Sequence, residues 1–133
     1  ITTENCTGLI VTTCLGLNDL ARTLIHYDAN INVRNKYGFT TLHYAALAKN
    51  TRMVGILLGL GANVNEADNG DFTPLHAAAT RGHVSTLRLL LEKGADINAL
   101  AYHSNNQSKD TALDIASHYN HTDAVALLQS WGR

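Results

Sequence analysis

The chain is poor in the features that most quickly assign a chemistry. Among its 133 residues are only two cysteines, Cys6 and Cys14. Two thiols in that arrangement make neither a disulfide framework nor a zinc site. They suit free thiols in a reducing compartment, or one bridge in an oxidising one. No apolar run approaches the roughly 20 residues that span a bilayer; the stretch from Gly55 to Leu60 is short and broken by glycine. Charge of one sign is also missing. The formal net charge is -1, so no global field draws the chain to nucleic acid or to an anionic membrane. The motifs G-x-x-x-x-G-K-[ST], H-E-x-x-H, G-x-S-x-G and C-x-x-C do not occur. Gly59-Leu60-Gly61 starts like a dinucleotide fingerprint, but it ends a helix and lacks the third glycine. His118 and His121 are three apart without a supporting ligand pattern. Asp114, Ser117 and His118 lie close in sequence without a recognisable oxyanion hole. The expectations are therefore no cofactor, no metal, no catalytic residue, no nucleic acid and no membrane.

What is present is ordinary for a folded domain: 45% hydrophobic and 16% charged residues, too apolar for a disordered chain. An intracellular, cytoplasmic location is the expectation. The sequons at Asn5, Asn106 and Asn120 leave a secreted or periplasmic one open, though such short patterns recur by chance. The chain starts at Ile1, and a preceding segment removed by processing is compatible with that.

The dominant signal is a period. Thr40-Thr41-Leu42-His43-Tyr44-Ala45-Ala46 returns 33 residues later as Thr73-Pro74-Leu75-His76-Ala77-Ala78-Ala79. Gly61-Ala62-Asn63-Val64-Asn65 returns, at the same spacing, as Gly94-Ala95-Asp96-Ile97-Asn98, and Asp28-Ala29-Asn30-Ile31-Asn32 precedes both. A later unit, Thr111-Ala112-Leu113-Asp114-Ile115-Ala116, follows after an insertion of about five residues. In each unit a threonine hydroxyl, followed once by proline, suits the start of a helix. Small residues let that helix approach its neighbours. After a polar break such as Arg81-Gly82-His83 comes a second helix, with Val84, Leu87, Leu90 and Leu91 at helical spacing. Gly94 then suits its left-handed end. No unit buries its apolar face alone, so the units must stack.

These residues resemble the ankyrin-repeat family, whose consensus holds T-P-L-H-x-A. Residues 68–99 carry the motif complete, and residues 35–67 carry it with Thr41 in place of proline. The resemblance implies an all-α fold: an ankyrin-repeat solenoid of helix–turn–helix units with β-hairpin-like fingers. It implies one domain over residues 1–133, with repeats near 2–34, 35–67, 68–105 and 106–133. It also implies that His43 and His76 are structural, tying neighbouring fingers by hydrogen bonds. The first unit departs from the pattern: it lacks the motif, and Leu9, Ile10, Val11 and Leu15 keep its first helix apolar, so it reads as a modified cap. In the third unit Asp71 stands where the family has glycine, and Asn69-Gly70 is expected to supply the positive φ of the turn. The segment from Leu100 to Asp110 is a lengthened finger. Trp131 is expected to pack over the end of the stack.

By resemblance, the function is protein–protein interaction through the finger tips and the concave face of the first helices, with another protein or peptide as partner and the module itself a monomer. The residues placed there are Lys36, Tyr37, Phe39, Tyr44, Leu47, Asn69, Phe72, Thr80, Arg81, Tyr102, His118 and Tyr119. Aromatic and arginine side chains in register are what binding hot spots favour. Phe39 and Phe72 have a second reading as packing between fingers. A capping fragment of a longer array is the alternative function, and a metal-dependent or enzymatic role is a more distant one.

Overall fold

A computed structural model describes residues 31–102 and 108–131. Residues 1–30, which hold Cys6, Cys14 and most of the first unit, the finger segment 103–107 and residues 132–133 lie outside the described residues. Among the described residues six helices follow in pairs: α1 (Thr41–Leu47) with α2 (Thr51–Gly59), α3 (Pro74–Arg81) with α4 (Val84–Glu92), and α5 (Ala112–His118) with α6 (Thr122–Ser130). A two-stranded antiparallel ribbon, β1 (Ala101–Tyr102) and β2 (Lys109–Asp110), forms the base of the long finger. Within each pair the helices pack on each other, and α1, α3 and α5 pack in one row while α2, α4 and α6 pack in another. The helix-dominated stack is the all-α architecture that the period implies.

Local chemistry explains each helix start. Thr40, Thr73 and Thr111 are extended N-caps whose hydroxyls accept from the amide three residues on. The residue at that third position reaches back: His43 Nδ1 accepts from the Thr40 amide at 3.0 Å, and His76 Nδ1 from the Thr73 amide at 3.1 Å. In the last unit the Asp114 carboxylate takes this role on Thr111 at 2.9 Å. Such reciprocal capping satisfies two amides that a helix terminus would otherwise leave open.

The core runs through both rows. Leu42, Leu75 and Ile115 from the first helices meet Met53, Leu57, Leu87 and Leu90 from the second, all fully buried. Ala45, Ala46, Ala78, Ala79 and Ala116 are equally buried and keep the first helices close together. Each buried leucine contributes about 1.5–3 kcal/mol relative to exposure.

The turns show where the expectation for the third finger needs correction. The positive φ is not at Asn69 or Gly70 but at Asp71, with φ 64°. Asp71 holds the register of Gly38, whose φ is 83°. The cause is the preceding aspartate: Asp68 Oδ1 accepts from the amides of Gly70 at 2.7 Å and Phe72 at 2.9 Å. Asn35 does the same for Tyr37 and Phe39. The side-chain loop carries the left-handed residue to the fourth place, and aspartate tolerates that conformation. A second left-handed position recurs between the helices of each pair, at Lys49 (φ 59°), Gly82 (φ 68°) and Asn120 (φ 60°). His118 ends α5 and His121 precedes α6 across this turn, so they do not share a helix face.

Four imidazoles then join unit to unit. Because Nδ1 of His43 accepts an amide proton, its other nitrogen carries the ring proton, and Nε2 donates to the Phe72 carbonyl at 2.7 Å. His76 Nε2 donates to Ala99 at 3.0 Å and Asp110 at 3.2 Å, closing the base of the long finger. At the opposite end of the first helices, His83 Nε2 donates to the Leu47 carbonyl at 3.0 Å and His121 Nε2 to that of Thr80 at 2.9 Å. Gly82 makes room for the last of these, since a Cβ there would stand 2.6 Å from His121 Cγ.

Thr41 is the weak point. It is 1% exposed, and its hydroxyl is the buried side-chain polar atom left without a partner among the described residues. Pro74 occupies the equivalent place in α3. Thr40 has φ -101° and ψ 171°, as a residue before proline requires. Thr41→Pro is expected to raise stability by about 0.5–1 kcal/mol, read as a higher urea midpoint at unchanged slope; a lower midpoint contradicts this account.

Burial lowers the pKa of His43 and His76 below the ordinary 6.5, with their carbonyl partners and nearby carboxylates opposing the shift. Above about pH 6.5 neither folded nor unfolded chain protonates these rings. Below it the unfolded chain binds protons that the native rings refuse, so stability falls as pH drops towards the lowered native values. The limiting slope is about 1.4 kcal/mol per pH unit for each ring. Urea midpoints are expected to fall between about pH 7 and pH 5.5, and less steeply in His76→Gln. An equal slope in that variant removes His76 from the explanation.

Candidate partner-binding surface

The residues singled out from sequence fall into three groups along the first-helix side of the stack. The first lies at the finger tips. The Asn69 amide donates to the Tyr37 carbonyl at 3.0 Å, and Asn69 Nδ2 to that of Lys36 at 3.0 Å. The Tyr102 amide donates to the Gly70 carbonyl at 2.9 Å. Three successive fingers are thereby laced into one edge. Its large apolar groups face solvent: Tyr37 is 60% exposed and Tyr102 41%. Each ring carries an ammonium, Lys36 Nζ at 5.0 Å from one centroid and Lys109 Nζ at 4.8 Å from the other. Lys109 also pairs with Asp71 at 2.8 Å, and that hydrogen bond raises its pKa.

The second group is a column of rings. Phe39 and Phe72 stack with centroids 6.2 Å apart and planes 9° from parallel. His43 stacks on Phe39 and His76 on Phe72. Tyr44 meets Phe39 edge-on, and its hydroxyl accepts from Asn35 Nδ2 at 3.0 Å. All three named aromatics are half-buried. Their rings hold adjacent units in register, which is the packing reading given for Phe39 and Phe72.

The third group surrounds the ends of the first helices. Leu47 is half-buried against the core and its carbonyl receives His83. Thr80 is half-buried, with its hydroxyl donating to the His76 carbonyl at 2.9 Å and its own carbonyl receiving His121. Arg81 is exposed. His118 and Tyr119 meet edge-on at 4.9 Å, with Tyr119 43% exposed. So Lys36, Tyr37, Asn69 and Tyr102 are joined at one end, while Leu47, Thr80, Arg81, His118 and Tyr119 flank the turns at the other. The ring column lies near the fingers.

Sequence reasoning missed the histidines of the second end. Gly82-His83 and Asn120-His121 occupy equivalent places in their units, and that recurrence was the available signal. Burial lowers the His83 pKa first, its bond to Leu47 opposes this, and the positive charges of Lys49 and Arg81 add to the lowering. Among the described residues no cluster of three or more His, Cys, Asp or Glu could hold a metal ion. None of their helices is long and apolar enough to cross a membrane.

Comparison with known proteins matches this geometry. A family model described as ankyrin repeats in three copies matches residues 9–101, and one described as ankyrin repeats in many copies matches residues 75–129. Over 43 residues the chain is 44% identical to the putative ankyrin repeat protein L271 of Acanthamoeba polyphaga mimivirus. That stretch is 32% of this chain and 6% of the relative, so the chain spans a small fraction of that protein's length. Ankyrin repeats are generally protein-interaction scaffolds rather than enzymes. With the first match alone covering more than half of its residues, the chain belongs to the ankyrin-repeat family.

Proposed function

We propose that this module binds a protein partner through its finger tips and the concave face of its first helices. The observation that carries the reading is the laced finger edge. Backbone bonds from Asn69 to Tyr37 and from Tyr102 to Gly70 tie the first two finger turns to each other and to the base of the long finger. They present Tyr37 and Tyr102 as exposed aromatic groups on a preorganised edge. Contacts already made among these residues reduce the entropic cost of association. Exposed tyrosines supply amphipathic contact area of the kind that dominates interface energies.

Lys36, Tyr37, Asn69 and Tyr102 form the tip contacts in this reading. Leu47, Thr80, Arg81, His118 and Tyr119 form the far end of the same face. Phe39, Tyr44 and Phe72 contribute ring edges while holding the column beneath. The domain reads as one unit over 1–133, with repeats at 2–34, 35–67, 68–105 and 106–133. It acts as a monomer in an intracellular setting, in keeping with the habit of the family.

The test separates face from fold. Affinity capture from cell lysate is compared for the wild-type chain, Tyr37→Ser/Tyr102→Ser, and Arg88→Gln/Lys93→Gln, exposed residues in α4 and at its C-cap. All three are first shown to melt alike. The expected result is a set of proteins lost, or reduced about tenfold, with the tyrosine variant and retained by the Arg88/Lys93 variant. Equal capture by wild type and the tyrosine variant overturns the finger-tip assignment.

A further inference from the structure

The charges of this nearly neutral chain are sorted between two edges. On the finger side, the carboxylates Glu66, Asp68, Asp71, Asp96 and Asp110 outnumber the cations, and the cations present are engaged. Arg34 pairs with Glu66 at 2.9 Å, Lys109 with Asp71 at 2.8 Å, and Lys36 lies over the Tyr37 ring. The opposite edge is made by the turns inside each helix pair. The turns of the two preceding pairs, residues 47–52 and 80–85, carry Lys49, Arg52 and Arg81 and no carboxylate. All three cations are exposed, and none forms an ion pair among the described residues.

The backbone places Lys49 and Arg81 around one ring, with Arg52 in the helix turn that follows Lys49. Lys49 sits at the left-handed place of its turn, and Arg81 directly precedes Gly82 at the same place of the next. The Thr51 and Thr86 hydroxyls bond at 2.8 Å, joining the starts of α2 and α4. His83 reaches across from the second turn to the Leu47 carbonyl of the first. Both Lys49 and Arg81 act electrostatically on this ring. A notch of about 190 Å³ opens between the two turns, lined by Lys49, Thr51, His83 and Ser85 among others. In the third turn the place of Arg52 is taken by Asp123, in the first turn of α6, which marks the end of the cationic stretch.

We infer that the inter-helix turn edge formed by Lys49, Arg52 and Arg81 is a docking surface for an acidic segment of a partner protein. The inference rests on reading the module as a protein binder and specifies the chemistry of what it takes at this edge. Charge complementarity carries it: three cations that form no ion pair among the described residues lie along two turns, 47–52 and 80–85, that hold no carboxylate of their own and flank a polar notch. An extended acidic peptide is a better fit than a duplex, because the cationic stretch covers two turns only and the finger edge behind it is acidic. Arg81 is shared with the concave face, so a partner gripping the finger tips would extend its acidic portion towards these turns.

The experiment is fluorescence anisotropy at low salt with a labelled oligoglutamate of about ten residues. It uses the full chain, its Lys49→Glu/Arg52→Glu/Arg81→Glu variant, and Arg88→Gln/Lys93→Gln as a control for exposed cations in α4 and at its C-cap. The expected result is saturable binding by the wild type that weakens with salt. The triple variant should bind about tenfold more weakly or less, each exposed cation contributing a factor of a few, and the control should stay close to wild type. The triple variant should instead gain binding to a labelled oligolysine, which a misfolded variant would not do selectively. Absence of oligoglutamate binding, an equal loss in the control, or tighter binding of a short single-stranded DNA each overturns the assignment. The probe does not depend on Tyr37 or Tyr102, so failure here is distinguishable from failure of the finger-tip reading.

Discussion

The stack depends on an imidazole that donates its Nε2 proton to the backbone of a neighbouring unit. A helix row of alanines and leucines supplies the attraction between units but little direction, since apolar burial is roughly proportional to area. Direction comes from His43 on Phe72 and His76 on Ala99 and Asp110 at the finger end, and from His83 on Leu47 and His121 on Thr80 at the turn end. A first helix clipped at both ends can neither slide along its neighbour nor rotate against it without leaving a carbonyl unpaired, at a cost of about 1–3 kcal/mol. At the finger end the arrangement specifies the tautomer as well. The Thr40 and Thr73 amides occupy Nδ1, so protonating either ring would set two donors against each other.

The same clip accounts for how much of the molecule could be read in advance. Thr40-Thr41-Leu42-His43 and Thr73-Pro74-Leu75-His76 contain the cap, the core leucine and the clipping histidine in adjacent positions, so helix starts and the structural role of His43 and His76 were legible. The turn at Asp71 was not. Its geometry is decided by the Asp68 carboxylate bonding two amides beyond it, a choice that the dipeptide Asn69-Gly70 obscures because both residues favour positive φ themselves. The second set of clips was equally hidden: Gly82-His83 recurs as Asn120-His121, but its earlier counterpart is Lys49-Asn50, which has no ring to signal the pattern. The partner surface was legible only as a register. Register places Phe39 with Phe72, but it does not reveal that they stack on each other and on two histidines while Tyr37 and Tyr102 stay exposed.

Where the clip is absent, the stack changes character. Asp114 occupies the histidine place in the last unit and still caps Thr111, but a carboxylate has no proton to donate to a further finger. The neighbouring positions change with it. Ala79, Val84 and Leu91 have Ser117, Thr122 and Gln129 as their counterparts, so the face beyond α5 and α6 is partly polar. Trp131 and Leu113 cover part of what remains apolar. Helix capping and unit-to-unit clipping are therefore separable functions of one position: aspartate keeps the first and gives up the second.

That separation bears on why the two edges differ in charge. At the finger edge the turns are organised by side-chain acceptors, Asn35 and Asp68, and flanked by further carboxylates. Cations placed there find partners within the molecule, as Arg34 and Lys109 do. At the inter-helix turns the organising groups are the neutral Asn50 amide, the His83 and His121 rings and a left-handed residue. Cations at Lys49, Arg52 and Arg81 consequently have no carboxylate of their own turn to meet. Among the described residues the finger cations Arg34 and Lys109 thus meet carboxylates, whereas Lys49, Arg52 and Arg81 do not. An ankyrin repeat built this way presents two chemically different edges from one repeated fold, with Tyr37 and Tyr102 exposed beside the first and Lys49, Arg52 and Arg81 exposed along the second.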